Sequence, residues 1–200
     1  SSAYVAVGKW ASAGGIVSTI CFPPDGITWE VPFNPSSVIN SSSNTGNSVS
    51  WNGTQFVATG IWGIATVTTS SDGKTWSVPV NPPGVGSQDG AGNNCSAAVW
   101  NGSSWLVAGN WFDSNSIAIG NVDSFTYGIN FSKPVHPNLA MSGGTTSVIW
   151  NNNTQEWLAS SCPNGSSPIF ASLPWSDGIN SGIFTTSKDG INWTTATLPR

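Results

Sequence analysis

The residues that could perform acid, base or nucleophilic chemistry are few in this sequence and lie far apart along it. Its 200 residues include nine acids, five Lys and Arg, and a single histidine, His136. A glycosidase needs two facing carboxylates, and a fold could assemble such a pair from distant acids: Glu30, Asp89, Asp113, Asp123 or Glu156. No spacing selects any two of them. A serine nucleophile would have only His136 as its activating base, and His136 takes the place of Asn in a repeated P-x-N-P loop. We therefore expect no catalytic residues.

The three cysteines, Cys21, Cys95 and Cys162, lack the C-x-x-C spacing of a zinc or redox site. The acids are scattered along the chain and do not cluster as metal ligands do, so we expect no metal and no cofactor. An odd number of cysteines leaves three arrangements open. These are one disulfide with a free thiol, an intermolecular bridge, or three buried thiols.

Tryptophan is the abundant side chain with binding potential, because the chain has 12 of them. The pattern Gly-x-Trp places Trp10, Trp62 and Trp111 at equivalent positions of an internal repeat. Exposed Trp rings among Asn and Ser suit stacking on sugars or anchoring a protein partner, but a Trp repeated in this way also suits a wedge between packed sheets. Trp175 is a fourth candidate, because it lies in a segment of about 163–181 that interrupts the repeat.

The elements that would position these side chains come from a repeat of about 50 residues. TTSSDGKTW at 68–76 returns as TTSKDGINW at 185–193, with a shorter copy, PPDGITW, at 23–29. A Trp-Asn pair recurs with its Trp at 51, 100 and 150. Asp-Gly between two β-favouring runs is a strong hairpin signal, so Asp25, Asp72 and Asp189 are predicted to form turns.

The clearest copy of the repeat contains four short strands, predicted at 48–51, 56–60, 64–69 and 76–80. Four antiparallel strands in a unit of this length are typical of one propeller blade. We therefore predict an all-β chain that forms a single β-propeller domain over residues 1–200. Its four four-stranded antiparallel blades are expected at about 1–36, 46–84, 95–138 and 146–200.

The first blade starts in the middle of the pattern, because YVAVGKW at 4–10 matches only the second strand of the other copies. Its first strand is therefore predicted to be missing. An open sheet edge is unfavourable, so we expect the strand to come from further sequence or from a neighbouring subunit. The alternatives are that the blade stays short or that the linker at 36–46 fills the edge.

Surface composition points to the outside of a cell or particle. Only 7% of residues are charged, the net charge is −4, and basic residues are scarce, which argues against nucleic acid or anionic membrane as a partner. No apolar stretch is long enough to span a membrane, and no signal peptide is apparent, so we expect any leader to have been removed or to lie elsewhere. Eight N-x-S/T acceptor patterns are glycosylation candidates: Asn40, Asn52, Asn94, Asn101, Asn130, Asn152, Asn164 and Asn192. Those in predicted loops, Asn40, Asn94 and Asn164, are favoured.

The S-x-D-G-x-x-W turn, the Trp-Asn-Gly hairpin and the V-A-x-G strand resemble the Asp-box repeat of sialidase-like β-propellers. Such repeats also occur in surface proteins of bacteria and large algal viruses. The strict Asp-box has one more residue between Asp and Gly than this chain has. The resemblance implies the propeller architecture, but sialidase activity needs three arginines on the substrate carboxylate, and here the only Arg is Arg200.

These observations lead to three hypotheses about function. The first is a non-catalytic, glycosylated structural or assembly subunit at an extracellular, cell or virion surface, which self-associates or binds a neighbouring surface subunit through its incomplete first blade. The second is a glycan-binding adhesin or lectin-like module. The weakest is a glycan-processing hydrolase. None of them involves nucleic acid or insertion into a membrane.

Overall fold

Four small antiparallel sheets follow one another along the chain. The computed structural model describes residues 4–12, 14–15, 17–38, 41–83, 85, 93–111, 117–122, 129–132, 145–161 and 183–196. Strands, turns and bends account for the regular structure of these residues, and helices are absent from them. The predicted all-β class is thus confirmed.

Each sheet is formed by strands that are consecutive in sequence. The first sheet contains β1 (Ala6–Ala11) and β2 (Val17–Cys21). The second contains β3 (Thr45–Trp51), β4 (Phe56–Trp62) and β5 (Ala65–Ser70). The third contains β6 (Asn94–Trp100), β7 (Trp105–Asn110), β8 (Ile117–Val122) and β9 (Ile129–Phe131). The fourth contains β10 (Thr145–Asn151), β11 (Glu156–Ser161), β12 (Ile183–Ser187) and β13 (Thr194–Ala196).

The registers repeat from sheet to sheet. In the last three sheets the pairing of the first two strands shifts at the same place, after Gly46, Cys95 and Thr145. A second shift separates Val7 from Trp10 in β1 and Thr59 from Trp62 in β4. Because Val7 and Trp10 are each 52 positions before Thr59 and Trp62, β1 is equivalent to β4, the second strand of its sheet. The first sheet therefore lacks a first strand within the described residues.

The fourth strand is shorter than the sequence predicts in the first two sheets. It consists of one isolated bridge in each, Ile20 with Phe33 and Val67 with Val80. Pro32 and Pro79 directly precede the bridging residues, and proline has no N–H to donate to a ladder. The predicted strand at 76–80 is therefore wrong in extent, although Val80 does pair with its neighbour.

Successive sheets pack face to face and bury a core at each boundary. Ile20 of the first sheet lies with Ala58 and Trp62 of the second. Cores of the same kind join the second sheet to the third and the third to the fourth. No strand pair from the first and fourth sheets packs to a similar extent in the part of the chain that is described. The described sheets thus form a consecutive series.

Candidate functional site

Each of the three described Asp-Gly turns is closed by its own aspartate. Asp72 Oδ1 accepts hydrogen bonds from the backbone N–H groups of Lys74 and Thr75, both at 2.8 Å. Asp189 accepts from Ile191 and Asn192 in the same way, and Asp25 from Ile27 and Thr28. The following glycines, Gly26, Gly73 and Gly190, have φ values of 78°, 78° and 74°, which glycine adopts without steric cost. These three carboxylates are occupied by turn formation.

Hydrogen bonding keeps these carboxyl groups ionised. The N–H and side-chain amide of Asn192 and the N–H of Ile191 hold the pKa of Asp189 well below its ordinary value of 3.8. Burial raises the pKa of Asp72, but the N–H groups of Thr75 and Lys74 outweigh it and leave the pKa lowered. A carboxylate that is held ionised in this way is poorly suited to act as a general acid.

The third sheet has no Asp at this position, and the residues that follow form a strand instead of a turn. Tyr127 stands where the second sheet has Asp72, and it lies outside the described residues. Ile129 and Asn130, which correspond to the turn residues Lys74 and Thr75, belong to β9 and pair with Val122 and Asn121. The loss of Asp therefore coincides with conversion of turn residues to strand residues.

Aromatic rings stack across each of the last three sheets. Trp51 at the end of β3 contacts Phe56 at the start of β4 with ring centroids 4.3 Å apart, and Phe56 lies 6.3 Å from Trp76. The corresponding pairs in the third and fourth sheets are Trp100 with Trp105 at 5.3 Å and Trp150 with Trp157 at 4.8 Å. The Trp of the first strand thus covers the aromatic residue of the second strand in each case.

Neighbouring sheets are joined by a repeated chain of hydrogen bonds. Trp62 Nε1 donates to Thr19 Oγ1 of the preceding sheet at 2.8 Å, and Thr19 Oγ1 donates to Asn34 Oδ1 at 2.8 Å. Asn34 in turn donates to the carbonyl of Val17 at 2.7 Å. The same order holds one sheet later: Trp111 donates to Thr66, Thr66 to Asn81, and Asn81 to the Ile64 carbonyl. The Trp of each relay is buried at the boundary between two sheets.

For Trp62 and Trp111 the wedge between packed sheets is the alternative that holds, and the ligand-binding alternative is wrong. Trp62 and Trp111 are 3% and 0% exposed, and they wedge between sheets where no sugar can stack on them. Trp10 is different, because 37% of its surface is exposed. Trp175 lies outside the described residues.

The surroundings of Gly8, two residues before Trp10, explain why Trp10 is more exposed than Trp62 and Trp111. A Cβ atom on the equivalent glycines, Gly60 and Gly109, would lie 2.1 Å from the Thr45 and Asn94 carbonyl oxygens of the first strands. The first strand thus approaches closely at these two glycines, whereas the equivalent residue of the fourth sheet is Ser161, which pairs with Thr145. The three atoms nearest to a Cβ on Gly8 would instead belong to the Trp10 ring, at 3.3 to 3.5 Å. The Trp10 ring thus occupies the space that a first strand fills in the other sheets.

Two further aromatic positions of the first sheet are also uncovered. Tyr4 is equivalent to Phe56, and Trp29 is equivalent to Trp76. Phe56 and Trp76 are buried, whereas Tyr4 and Trp29 are 57% and 51% exposed. Trp76 Nε1 donates to the Gly73 carbonyl at 2.9 Å, and Trp29 makes no corresponding bond within the described residues.

The Asp-Gly turn of the first sheet is open as well. A Cβ on Gly73 would lie 2.9 Å from Val5 of the preceding sheet, and one on Gly190 would lie 2.9 Å from Ile119. A Cβ on Gly26 would meet only Tyr4, at 3.8 Å. We call Tyr4, Gly8, Trp10, Gly26 and Trp29 the open face of the first sheet. Within the described residues, it combines an unpaired strand edge with exposed aromatic rings, which can bind a β-strand and a packed sheet.

The described glycosylation candidates occupy several environments. Asn94 is not in a loop as predicted: it begins β6, and its Oδ1 accepts a 2.6 Å hydrogen bond from Asn47. Asn52 and Asn101 each accept two backbone N–H groups through Oδ1 in their hairpin turns. Asn192 donates through Nδ2 to Asp189, so a glycan there would compete with the turn.

The remaining sequons divide between exposed and undescribed positions. Asn130 is an exposed residue of β9, and Asn152 is exposed in the turn after β10. Asn40 and Asn164 lie outside the described residues.

Two of the three cysteines are buried free thiols, Cys21 and Cys95. Burial raises the pKa of the Cys95 thiol to about 12, so it stays neutral at physiological pH. Cys162 lies outside the described residues.

The candidate carboxylates do not form a facing pair in the part of the chain that is described. Glu30 belongs to the first sheet and Glu156 to the fourth, while Asp89, Asp113, Asp123 and also His136 lie outside the described residues. Glu156 and Asp189 line one shallow cleft, but Asp189 is occupied by its turn. No group of three or more His, Cys, Asp or Glu that could hold a metal occurs among the described residues. The same residues include no helix of the length and apolarity needed to cross a bilayer.

Comparison of the chain with protein-family models, with curated proteins and with solved structures found no match.

Sequence reasoning missed most of the open face and the hydrogen-bond relay. The signal for the relay was present, since Thr19 and Asn34 recur 47 positions later as Thr66 and Asn81. The signal for the open face was the equivalence of Tyr4 to Phe56 in a sheet with no counterpart of Trp51. To detect the relay or the open face from sequence, one must know which face of each strand is packed against another strand or sheet.

Proposed function

We propose that this chain is a non-catalytic assembly subunit at an extracellular, cell or particle surface, and that its four sheets are blades of a β-propeller arrangement. One observation carries the proposal. Tyr4, Gly8, Trp10 and Trp29 are uncovered, while their counterparts in the following sheets are covered by a first strand or by the preceding sheet. Exposed aromatic rings beside an unpaired edge are typical of a binding surface.

The blade interpretation is supported by the way the sheets follow one another. Every boundary between consecutive sheets is a hydrophobic core, and two boundaries share the Trp to Thr to Asn relay. We therefore propose four consecutive blades, which form either a ring of four or a four-blade portion of a larger ring.

The sparsely charged surface supports the extracellular location. Only 7% of residues are charged, against roughly a quarter in an average soluble domain. Glycosylation is part of this proposal, and exposed Asn152 and Asn130 are its best described acceptor sites.

The experiment is to measure the assembly state and intact mass of secreted protein by light scattering and mass spectrometry. Assemblies of a chain heavier than its 20.7 kDa sequence mass are expected. The double variant Tyr4→Asp with Trp10→Asp should abolish assembly, whereas the control Val78→Asp, at an exposed position of the second sheet, should leave it unchanged. An unmodified monomer would contradict the proposal.

Glycan binding remains a second candidate because Trp10 is exposed, whereas the other Gly-x-Trp tryptophans, Trp62 and Trp111, are buried. Quenching of Trp10 fluorescence by a panel of sugars, absent in Trp10→Phe, would favour it. If sugars quench Trp10 fluorescence and the protein does not assemble, glycan binding would replace assembly as the proposed function.

A further inference from the structure

The turn between β10 and β11 is longer than the two equivalent hairpin turns. Four residues, 52–55 and 101–104, lie between the paired aromatic residues of the second and third sheets, whereas six, 151–156, lie between Trp150 and Trp157. The N-x-S/T pattern also starts one residue later in the fourth sheet than in the other two. The longer turn therefore places its glycosylation acceptor in a different environment.

The additional residues separate two roles that a single asparagine has in the shorter turns. Asn52 is the sequon acceptor, and its Oδ1 also accepts the N–H groups that close the turn. In the fourth sheet the closing role belongs to Asn151, whose Oδ1 accepts the N–H groups of Asn153 and Thr154 at 2.9 and 3.4 Å. The sequon acceptor is the next residue, Asn152. A sugar on Asn152 would thus leave the turn-closing amide untouched.

Two contacts fix the position of Asn152. Its Oδ1 accepts a 3.0 Å hydrogen bond from the indole N–H of Trp150, and its carbonyl accepts a 2.6 Å bond from Gln155 Nε2. An indole N–H can only donate, so it faces the amide oxygen. The Nδ2 atom, which is the atom that a glycan modifies, has no hydrogen-bond partner among the described residues. Because Nδ2 and Oδ1 are bonded to the same carbon, Nδ2 lies near the edge of the Trp150 ring.

The Trp150 ring is partly exposed beside this atom. Trp157 contacts the ring with centroids 4.8 Å apart, but the side chain of Trp150 is not fully buried, and Asn152 is exposed. Resting on the proposed extracellular, glycosylated function, we propose that Asn152 carries an N-linked oligosaccharide whose first N-acetylglucosamine packs on Trp150. The C–H groups on one face of the sugar suit contact with an indole ring.

The modification is a group transfer from a lipid pyrophosphate-linked oligosaccharide. Asn152 Nδ2 attacks the anomeric carbon and loses one proton to a base of the transferase. The bond between that carbon and the pyrophosphate oxygen breaks, and the lipid pyrophosphate leaves. The Thr154 hydroxyl completes the acceptor pattern. Since the product is still an amide, its Oδ1 can keep the hydrogen bond from the Trp150 N–H.

Other described sequons lack this combination of features. Asn52 and Asn101 close their own turns, and each directly follows its Trp. Asn192 uses Nδ2 itself in a 2.7 Å hydrogen bond to Asp189. Asn130 has no Trp at either of the two preceding positions. These sites therefore differ from the fourth-sheet turn, where a glycan would gain a contact with a ring.

The test compares wild type with Thr154→Ala, which removes the acceptor pattern and keeps Asn152. Both proteins are secreted from a glycosylating eukaryotic host, and glycopeptide mass spectrometry measures occupancy. An endoglycosidase then trims each glycan to one N-acetylglucosamine, so the trimmed proteins differ by a single sugar on Asn152. We expect trimmed wild type to unfold at a temperature roughly 2–4 °C higher, as for one aromatic contact in a chain of this size. The same pair made without glycans in bacteria corrects for the substitution itself.

The matched variants are Trp150→Leu and Trp100→Leu. Stabilisation by the sugar on Asn152 should fall by more than half in Trp150→Leu and persist in Trp100→Leu, because Trp100 occupies the equivalent position in another sheet. Equal stabilisation in both variants would overturn the proposal. If Trp150→Leu does not fold, NMR of trimmed wild type decides instead. The sugar protons absent from Thr154→Ala should shift upfield in the indole ring current, and shifts like those of free N-acetylglucosamine would overturn the proposal.

This inference and the proposed assembly function fail separately. If Asn152 is unoccupied in the secreted protein, or if its sugar adds no stability, the inference is wrong even when the protein assembles. A monomer that is stabilised by the sugar on Asn152 would contradict the assembly function and support the inference.

Discussion

The indole N–H of Trp62 donates a 2.8 Å hydrogen bond to the hydroxyl of Thr19 across the boundary between the first and second sheets. Both residues are buried, and Thr19 passes the interaction on to Asn34 in its own sheet. The pair therefore links two sheets that are otherwise held together mainly by apolar packing.

Thr19→Val should destabilise the fold by about 1–3 kcal/mol, because it leaves the buried Trp62 N–H without an acceptor. Thr66→Val should have a similar effect through Trp111. The measurement is urea denaturation. Thr194→Val, at an exposed position of β13, is the control for replacing a Thr hydroxyl by a methyl group. In a double-mutant cycle Thr19→Val and Trp62→Phe should be non-additive. Additive effects would show that the hydrogen bond carries no coupling.

Gly60→Ala and Gly109→Ala should each cost about 3 kcal/mol or more, because the new methyl group would overlap a first-strand carbonyl oxygen. Gly8→Ala should cost less than about 1 kcal/mol, since only the Trp10 side chain must move. Thermal unfolding of the three variants measures the difference. Equal losses at positions 8 and 60 would mean that a backbone strand already covers Gly8.

Stability should fall in acid through the turn aspartates. Because the pKa values of Asp72 and Asp189 are lowered in the folded state, their contribution is present above the ordinary pKa of 3.8 and is lost as pH falls below it. Asp72→Asn with Asp189→Asn should therefore flatten the dependence of unfolding free energy on pH between about 4 and 2. Denaturation at a series of pH values provides the test, and an unchanged slope in the double variant would contradict it.

Cys95 should resist alkylation in the native protein and react once the chain unfolds. Burial raises its pKa to about 12, so the reactive thiolate is scarce at pH 8. Ionisation is favoured in the unfolded chain above the ordinary value of 9.0, so stability should decline as pH rises past about 9. Cys95→Ala should reduce that decline, and the remainder should include the contribution of Cys21, whose pKa burial also raises. Iodoacetamide labelling with peptide mass spectrometry, and denaturation at alkaline pH, measure the two effects.

Local sequence signals predicted much of this fold. Asp-Gly turns, Asn-Gly turns and alternating β-favouring runs act over a few residues, so the all-β class and most strand positions followed from them. The reduced fourth strands were missed because Pro32 and Pro79 limit pairing to one bridge in each of the first two sheets. Asn94 was placed in a loop, although its side chain and backbone both engage neighbouring strands.

The burial of individual side chains was harder to predict, because it depends on how neighbouring sheets pack against each other. The Gly-x-Trp pattern is the same around Trp10, Trp62 and Trp111, yet only Trp10 is exposed. The difference comes from the preceding sheet, which is far away in sequence and supplies the Thr acceptors. The candidate site on the first sheet therefore became visible only by comparing equivalent positions in three dimensions.

The central claim is that the first sheet of the isolated chain has an uncovered edge where the second and third sheets are covered. Amide hydrogen exchange of the chain alone, compared among β1, β4 and β7, tests it most directly, since these three strands occupy equivalent positions. Exchange should be fast in β1, which has a free edge, and slow in β4 and β7, which pair on both sides. Protection of β1 equal to that of β4 and β7 would mean that the edge is already occupied, and it would contradict the account.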